Sequence, residues 1–205
     1  MTREEWLNLM TSKLRPRFQE LGYPLPEKLR VSCGFPSKSP LGRRRTTVGE
    51  CWASKCSADQ TSEIFITPLY EDAFKVAEVL VHELGHAADD CEHHHTGTFR
   101  KACQAVGLEK AANSWKTTKA GEHLTCLLSK LIAECGLYPH RAIVNAMKLK
   151  KQGTRMLKVI CPDTGCGYTV RTTQQWIDVG LPTCPCGKKM KLVDKDAGGG
   201  DEDGD

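Results

Sequence analysis

The chain has 205 residues, of which 40% are hydrophobic and 26% are charged, and its formal net charge is +4. This length predicts one domain of ordinary size with a packed core, plus a small module. It contains no run of about 18 apolar residues, so no membrane span is expected. The segment 1–6 lacks the apolar stretch of a signal peptide. We therefore expect a cytoplasmic protein, in which eleven cysteines favour metal sites and free thiols over disulfides.

Charge is distributed unevenly along the chain. Residues 197–205 include four acidic residues and no basic one. The remainder therefore carries +8, which is the +4 of the whole chain plus the four negative charges of this tail. A basic body can attract nucleic acid. A tail dominated by glycine and acidic residues cannot build a core, so we predict that residues 194–205 are disordered.

The elements predicted for the first two thirds of the chain are four helices and three short strands. Thr2 and Glu5 have the spacing of a capping box, and apolar residues follow at helical intervals, which predicts a helix that ends near Leu21. Strand-forming composition marks residues 29–35, 47–54 and 63–67. Apolar periodicity and terminal glycines predict further helices over about 72–89, 98–106 and 120–135.

The helix predicted over 72–89 contains the motif His-Glu-x-x-His, formed by His82, Glu83 and His86. Residues four apart lie one turn apart on the same helix face, so both imidazoles can bind one metal ion. Zinc is the expected metal, since a catalytic zinc takes about three protein ligands and leaves one position for water. Glu83 would serve as general base and then general acid while a metal-activated water attacks a carbonyl group. A chance match is the alternative, although burying these side chains without a purpose is costly.

A third ligand must complete such a site, and the residues alone leave several candidates. The histidines of the run 93–95 follow the motif closely. A glutamate on a later helix is the thermolysin-like solution, for which Glu122 is the best residue. The metzincin pattern requires glycine and histidine three and six residues after His86, where this chain has Asp89 and Glu92. The sequence therefore excludes the metzincin class.

Residues just after the motif are candidates for a supporting role. Asp89 and Asp90 lie one turn beyond His86, and either could accept a hydrogen bond from its ring. Ordinary solvation of the helix end is an equally good interpretation. We expect Cys91, which also lies near the site, to be a free thiol.

A cysteine module is predicted over 157–193. Cys161 and Cys166 form one pair, and Cys184 and Cys186 form a second pair. Four thiolates in this arrangement suit a closed, tetrahedral, structural zinc site, as in a zinc ribbon. So small a module cannot fold on a core alone, and the metal would supply much of its stability. Disulfides or free thiols are the alternative interpretation.

Basic residues precede and decorate this module, with Tyr168 and Trp176 available to stack on bases. Nucleic-acid docking is one interpretation, and a protein-binding or merely fold-stabilising module is the other. The basic residues that we assign to nucleic-acid binding are Lys150, Lys151, Arg155, Lys158, Arg171, Lys188 and Lys189.

The motif His-Glu-Leu-Gly-His-Ala-Ala at 82–88, and His-Thr-Gly-Thr-Phe-Arg at 95–100 opening a helix, resemble the SprT-like zinc metallopeptidase family. This family includes the bacterial SprT proteins and the eukaryotic Spartan proteases. The resemblance implies that His95 is the third ligand, because Phe99 follows it by four residues. Many members have glycine directly after this histidine, where this chain has Thr96. The similarity extends over about 5–193 and is to a phage- or mobile-element-type member, and such proteins often carry a C-terminal zinc ribbon.

We therefore expect an α+β fold. Residues 1–140 would form a zincin-like, SprT-like domain, with a short antiparallel sheet packed on helices and an active-site helix that carries the motif. A basic connector, 141–156, would lead to the zinc ribbon, 157–193, and the acidic tail, 194–205.

The expected function is that of a zinc metalloendopeptidase with one catalytic and one structural Zn²⁺. The resemblance implies DNA-associated proteins as substrates and DNA as a candidate partner, in a host cytoplasm if the protein is phage-encoded. A peptide substrate would lie along a strand edge, for which we select 63–67. The alternative is a nucleic-acid-binding adaptor whose zinc helix is not catalytic.

Overall fold

The computed structural model describes residues 1–42, 46–144 and 156–193. The chain divides into two compact units, Met1–Lys148 and Leu149–Asp205. Over the ranges that the structure describes, five helices and three small sheets confirm the α+β class. The first unit contains, in chain order, α1 (Arg3–Glu20), β1 (Leu29–Cys33), β2 (Gly49–Trp52), a 3₁₀ turn (Ser54–Cys56), β3 (Ser62–Ile66), α2 (Ala73–Ala88), α3 (Gly97–Val106), β4 (Leu108–Lys110), β5 (Thr118–Ala120) and α4 (Glu122–Cys135).

The larger sheet of the first unit has the strand order β1-β3-β2. β3 pairs with β1 in parallel and with β2 antiparallel. The expected all-antiparallel sheet is therefore wrong, because β1 and β2 do not form a hairpin. β2 instead lies on the other side of β3 from β1. Strand composition reveals where strands lie in the sequence, but not their direction or order.

The core of the first unit surrounds α2, in which twelve of sixteen residues are buried. Asp72 caps this helix by accepting a hydrogen bond from the backbone N–H of Lys75, at 2.7 Å. α1 begins with the predicted capping box of Thr2 and Glu5. Its buried Trp6 donates from the indole nitrogen to the carbonyl of Gly136, at 2.8 Å. The motif helix is thus an interior element that its neighbours hold in place.

A hairpin of β4 and β5, absent from the sequence prediction, joins α3 to α4. Each strand has three residues, too few for an alternating pattern to be visible. The hairpin is tied to α2 by the buried carboxylate of Glu78, which accepts from the backbone N–H of Ala120 at 2.6 Å. Lys75 donates to the same carboxylate, also at 2.6 Å. This attachment brings β5 alongside the motif helix.

The second unit contains a three-stranded antiparallel sheet of order β7-β6-β8 and a short helix that the sequence did not predict. Within the described residues its buried cluster is Val159, Cys161, Cys184 and Met190. Nowhere in the described part of the chain does a helix combine the length and hydropathy of a membrane-spanning segment. The predicted tail, 194–205, and most of the predicted connector lie outside the described residues. The elements of this unit are β6 (Leu157–Ile160), β7 (Thr169–Thr172), α5 (Gln174–Val179) and β8 (Lys191–Leu192).

Candidate metal centres

Three imidazoles converge at the surface of α2. His82 and His86 lie on this helix, and His95 lies in the turn before α3. One ring nitrogen from each residue lies within 4.8 Å of those of the other two. The Nε2 atoms of His86 and His95 are 3.3 Å apart. Two nitrogens bound to one tetrahedral zinc at about 2.0–2.1 Å would be about 3.3–3.4 Å apart, so this spacing fits a shared ion.

The other candidates for the third ligand have different surroundings. His93 donates its backbone N–H to the buried carboxylate of Asp89, and its Nδ1 atom contacts the other oxygen, both at 2.8 Å. His94 is exposed and has a positive φ of 48°. Glu122, the first residue of α4, is exposed and is not a member of the histidine group. The structure therefore brings His95, and not these residues, to the motif.

Phe99, fully buried in α3, orients the imidazoles. Its ring stacks on His86 with a centroid distance of 3.9 Å, and it meets the rings of His82 and His95 edge-on. Close approach of α3 to α2 requires Gly85, since a Cβ atom there would lie 2.7 Å from the Sγ atom of Cys103. The glycine inside the motif is thus needed for packing.

Thr118, on β5, is a supporting residue that the sequence reasoning missed. Its hydroxyl lies 2.9 Å from the Nδ1 atom of His82. A proton on this nitrogen leaves Nε2 as the lone-pair donor, the arrangement that supporting partners of metal-bound histidines usually impose. Thr118 lies 36 residues after His82, and no local pattern identifies it.

Asp89 and Asp90, left open between a hydrogen bond to His86 and solvation of the helix end, have other partners. Asp89 binds His93, as described above. Asp90 accepts hydrogen bonds from the backbone N–H and the hydroxyl of Ser54, at 2.7 and 2.9 Å. Both carboxylates thus fix the turn between α2 and α3, instead of orienting His86.

Burial sets the protonation of the histidine pair. It lowers the pKa of His82 to about 4, with a further contribution from His95. It lowers the pKa of His86 to about 2, with further contributions from the neighbouring histidines. Both rings are therefore neutral at pH 7 and offer the lone pairs that metal binding requires.

Glu83 is buried directly beside β2. Burial, followed by the negative charges of Cys91 and Glu50, raises its pKa to about 8. A metal dication at the histidines would lower this pKa again by favouring the carboxylate. A Cβ atom on Gly49 would overlap the Glu83 side chain, whose carboxyl carbon would lie only 2.8 Å away. The backbone of β2 therefore passes directly over this carboxylate.

The strand selected for substrate, 63–67, was wrongly chosen. β3 occupies the centre of its sheet, with hydrogen-bonded neighbours on both sides. β1 and β2 are the two edge strands, and β2 is the one that contacts Glu83.

Four cysteines converge in the second unit. Their Sγ atoms all lie within 4.8 Å of one another. Cys161 and Cys186 are 3.5 Å apart at sulfur, as are Cys166 and Cys184. A tetrahedral zinc with bonds of about 2.3 Å would separate its sulfurs by about 3.8 Å. The backbone N–H of Lys188, followed by the neighbouring thiols, lowers the pKa of Cys186 to about 7, which favours the thiolate that binds metals.

Two of the basic residues assigned to nucleic acid face each other. Lys158 and Arg171 are directly opposed in the β6–β7 ladder, and both are exposed. Like charges in this arrangement repel each other. An anion between them would relieve the repulsion.

The remaining basic assignments have different surroundings. Lys188 and Lys189 are both exposed, and Lys188 forms an ion pair with Asp163 at 2.6 Å. Tyr168 and Trp176 are also exposed, Trp176 to 60%. The other three assigned residues, Lys150, Lys151 and Arg155, lie outside the described residues.

Comparisons with protein-family models, with curated proteins and with solved structures found no match. The chain is an α+β protein, and its described residues include two groups of side chains that could each bind a metal ion, one of three histidines and one of four cysteines.

Proposed function

We propose that the chain is a zinc-dependent metallopeptidase of the SprT-like type, with a zincin-like first unit and a zinc ribbon in the second. The observation that carries the proposal is the 3.3 Å separation between His86 and His95 at Nε2, next to the buried carboxylate of Glu83. A purely structural zinc site is usually closed by four protein ligands. Three imidazoles with a carboxylate beside them instead match the ligand set of a catalytic site.

Each side chain has a defined role in this proposal. His82, His86 and His95 would hold the zinc ion, with Thr118 fixing the ring of His82. When bound, the ion supplies Lewis-acid chemistry, which lowers the pKa of water toward about 7 and polarises a carbonyl group. Glu83 takes a proton from the attacking water and returns it to the departing amine.

The substrate would bind as an added strand. β2 has one hydrogen-bonded edge, toward β3, and it lies over Glu83. An extended peptide that pairs with the other edge of β2 would place its carbonyl groups beside the carboxylate, using backbone hydrogen bonds for affinity. This proposal replaces the expected site along 63–67.

The test compares Glu83→Gln with Glu92→Gln, which makes the same change at an exposed position in the following turn. Both variants should retain the zinc content of the wild type. Each protein is incubated with a mixture of unstructured peptides, with and without single-stranded DNA. New peptide termini are then identified by mass spectrometry. Glu83→Gln should abolish cleavage and Glu92→Gln should not. Identical peptide patterns for wild type and Glu83→Gln would refute the peptidase assignment.

A second candidate function, nucleic-acid binding by the second unit, is favoured by the opposed charges of Lys158 and Arg171. A polyanion would neutralise both, and the exposed Trp176 could stack on a base. Lys158→Glu should weaken binding of single-stranded DNA and reduce its salt dependence. Lys130→Glu, the same change at an exposed position on α4, should do neither. If the protein binds DNA, and wild type and Glu83→Gln give the same peptide products, the adaptor function is favoured over the peptidase.

A further inference from the structure

Two cysteines of the first unit meet beside the histidine cluster without belonging to it. Cys51 lies on β2, two residues after Gly49 and therefore on the same face of the strand, toward α2. Cys91 lies in the turn between α2 and α3, with a positive φ of 58°. Its thiol donates to the backbone carbonyl of Cys51 at 3.5 Å. The side chains of the two cysteines are also close enough for each to shift the pKa of the other.

A second, independent contact holds this turn against the end of β2. Asp90 accepts hydrogen bonds from both the backbone N–H and the hydroxyl of Ser54, three residues after Cys51. The neighbouring turn residues Asp90 and Cys91 thus contact Ser54 and Cys51, which lie three residues apart in the chain. The thiols are brought together by the fold, and their meeting does not require a large rearrangement.

The two thiols differ in their chemistry. The neighbouring side chain of Cys51 lowers the pKa of the partly exposed Cys91, despite its partial burial. The neighbouring side chain of Cys91, followed by burial, raises the pKa of Cys51. Thiol–disulfide exchange needs one thiol that readily becomes a thiolate and a second thiol within reach of it. Cys91 fits the first role and Cys51 fits the second.

We propose that Cys51 and Cys91 form a redox-active pair that closes to an intramolecular disulfide in the folded protein, with a small-molecule disulfide such as oxidised glutathione as the oxidant. The Cys91 thiolate attacks the glutathione disulfide, which forms a mixed disulfide and releases one glutathione thiolate. Cys51 then loses its proton to solvent and attacks the sulfur of Cys91, and the second glutathione thiolate departs. The protein loses two hydrogens, and one oxidised glutathione becomes two reduced molecules.

The disulfide would link the edge strand above Glu83 to the segment that carries His95. It would close a loop between positions 40 residues apart. Closing such a loop restricts the unfolded chain, so the oxidised protein should unfold at a higher temperature than the reduced protein. This inference does not depend on the proposed peptidase activity, because its test counts bonds between cysteines.

The sequence makes the test direct, because trypsin places the relevant cysteines in separate peptides. Peptide 46–55 contains only Cys51, peptide 56–75 contains only Cys56, and peptide 76–100 contains only Cys91. The zinc-loaded protein is oxidised with glutathione disulfide, alkylated and digested without reductant. We expect a linked pair of peptides 46–55 and 76–100, which disappears after reduction.

Two variants act as controls. Cys56→Ser changes an exposed cysteine close to Cys51, and it should form the same linked pair with the same rise in melting temperature. Cys51→Ser should abolish both, and should instead accumulate glutathione on peptide 76–100. If Cys51 in peptide 46–55 of the wild type is still alkylated after prolonged treatment with glutathione disulfide, it has not formed a disulfide, and the proposal is overturned. Linkage of peptide 76–100 to peptide 56–75 would also overturn it.

Discussion

Replacing Glu83 with glutamine should stabilise the metal-free protein at neutral pH, although it should abolish the proposed activity. Glu83 is only 6% exposed, and burial raises its pKa to about 8. In the unfolded chain the same carboxyl group ionises near pH 4.5. Glutamine has a similar size and cannot ionise, so the variant avoids the cost of keeping an acid in this site as pH rises.

The magnitude follows from the two pKa values. The folded state binds the Glu83 proton more tightly than the unfolded state does, so its stability is greatest below pH 4.5 and declines as pH rises toward 8. At pH 7 the unfolded carboxyl group is ionised while the folded one is mostly protonated, a difference of about 3 kcal/mol. His82 and His86 act in the opposite direction. Their lowered pKa values mean that stability is lost as pH falls below 6.5. That loss is common to both proteins and cancels in their difference.

The assay is urea unfolding of the chelated protein between pH 4.5 and 8, followed by pulse proteolysis, with fragments of the first unit identified by mass. The free energy of unfolding of Glu83→Gln, minus that of wild type, should increase by about 3 kcal/mol from pH 4.5 to pH 7. Glu92→Gln should show no such increase, since this residue is exposed. A difference between Glu83→Gln and wild type that is independent of pH would refute the reasoning. Zinc should reduce the increase, because a dication favours the carboxylate of Glu83.

Three further tests address the parts of the candidate site. His95→Ala should reduce the zinc content by one ion per chain, and His94→Ala should not change it, as measured by elemental analysis after dialysis. Thr118→Val removes the hydrogen bond to the motif histidine and should weaken zinc binding at this site about 10–100-fold in a chelator competition. Gly85→Ala should destabilise the first unit by about 1–3 kcal/mol in urea unfolding, and adding Cys103→Ala should recover part of this loss because it removes the overlapping sulfur.

The motif helix was the most predictable element. Apolar residues at helical spacing predicted a helix over 72–89, and α2 spans Ala73–Ala88. Helical geometry then necessarily places His82 and His86 on one face. Local sequence contains this information because the ligands lie within one turn of each other.

The third histidine was less predictable. The sequence left the run 93–95 open, and only the resemblance to SprT-like proteins favoured His95. In the structure, the buried carboxylate of Asp89 separates His93 from the other two histidines of the run, because it binds both the ring and the backbone of His93. A carboxylate at the end of a helix has many potential partners, and its choice depends on the path of the following turn.

The surroundings of Glu83 were beyond local sequence reasoning. β2 was predicted as a strand, but its place at the sheet edge over Glu83 depends on pairing with β3 and on contact with α2. Thr118 meets the motif only because Glu78 ties the β4–β5 hairpin to α2. These contacts join distant parts of the chain, and the periodicity of apolar residues in the sequence does not predict them.

The two metal clusters should respond differently to chelation, because they depend differently on apolar burial. The first unit has an extensive buried core that includes Trp6, Phe18 and Phe99, so its histidines remain positioned without an ion. The second unit, over its described residues, buries a cluster of four side chains, of which Cys161 and Cys184 are candidate ligands. So small a cluster cannot offset the entropy of ordering the module. A chelator should therefore unfold the second unit and leave the first one folded, and the proposed peptidase site would then be empty but preformed.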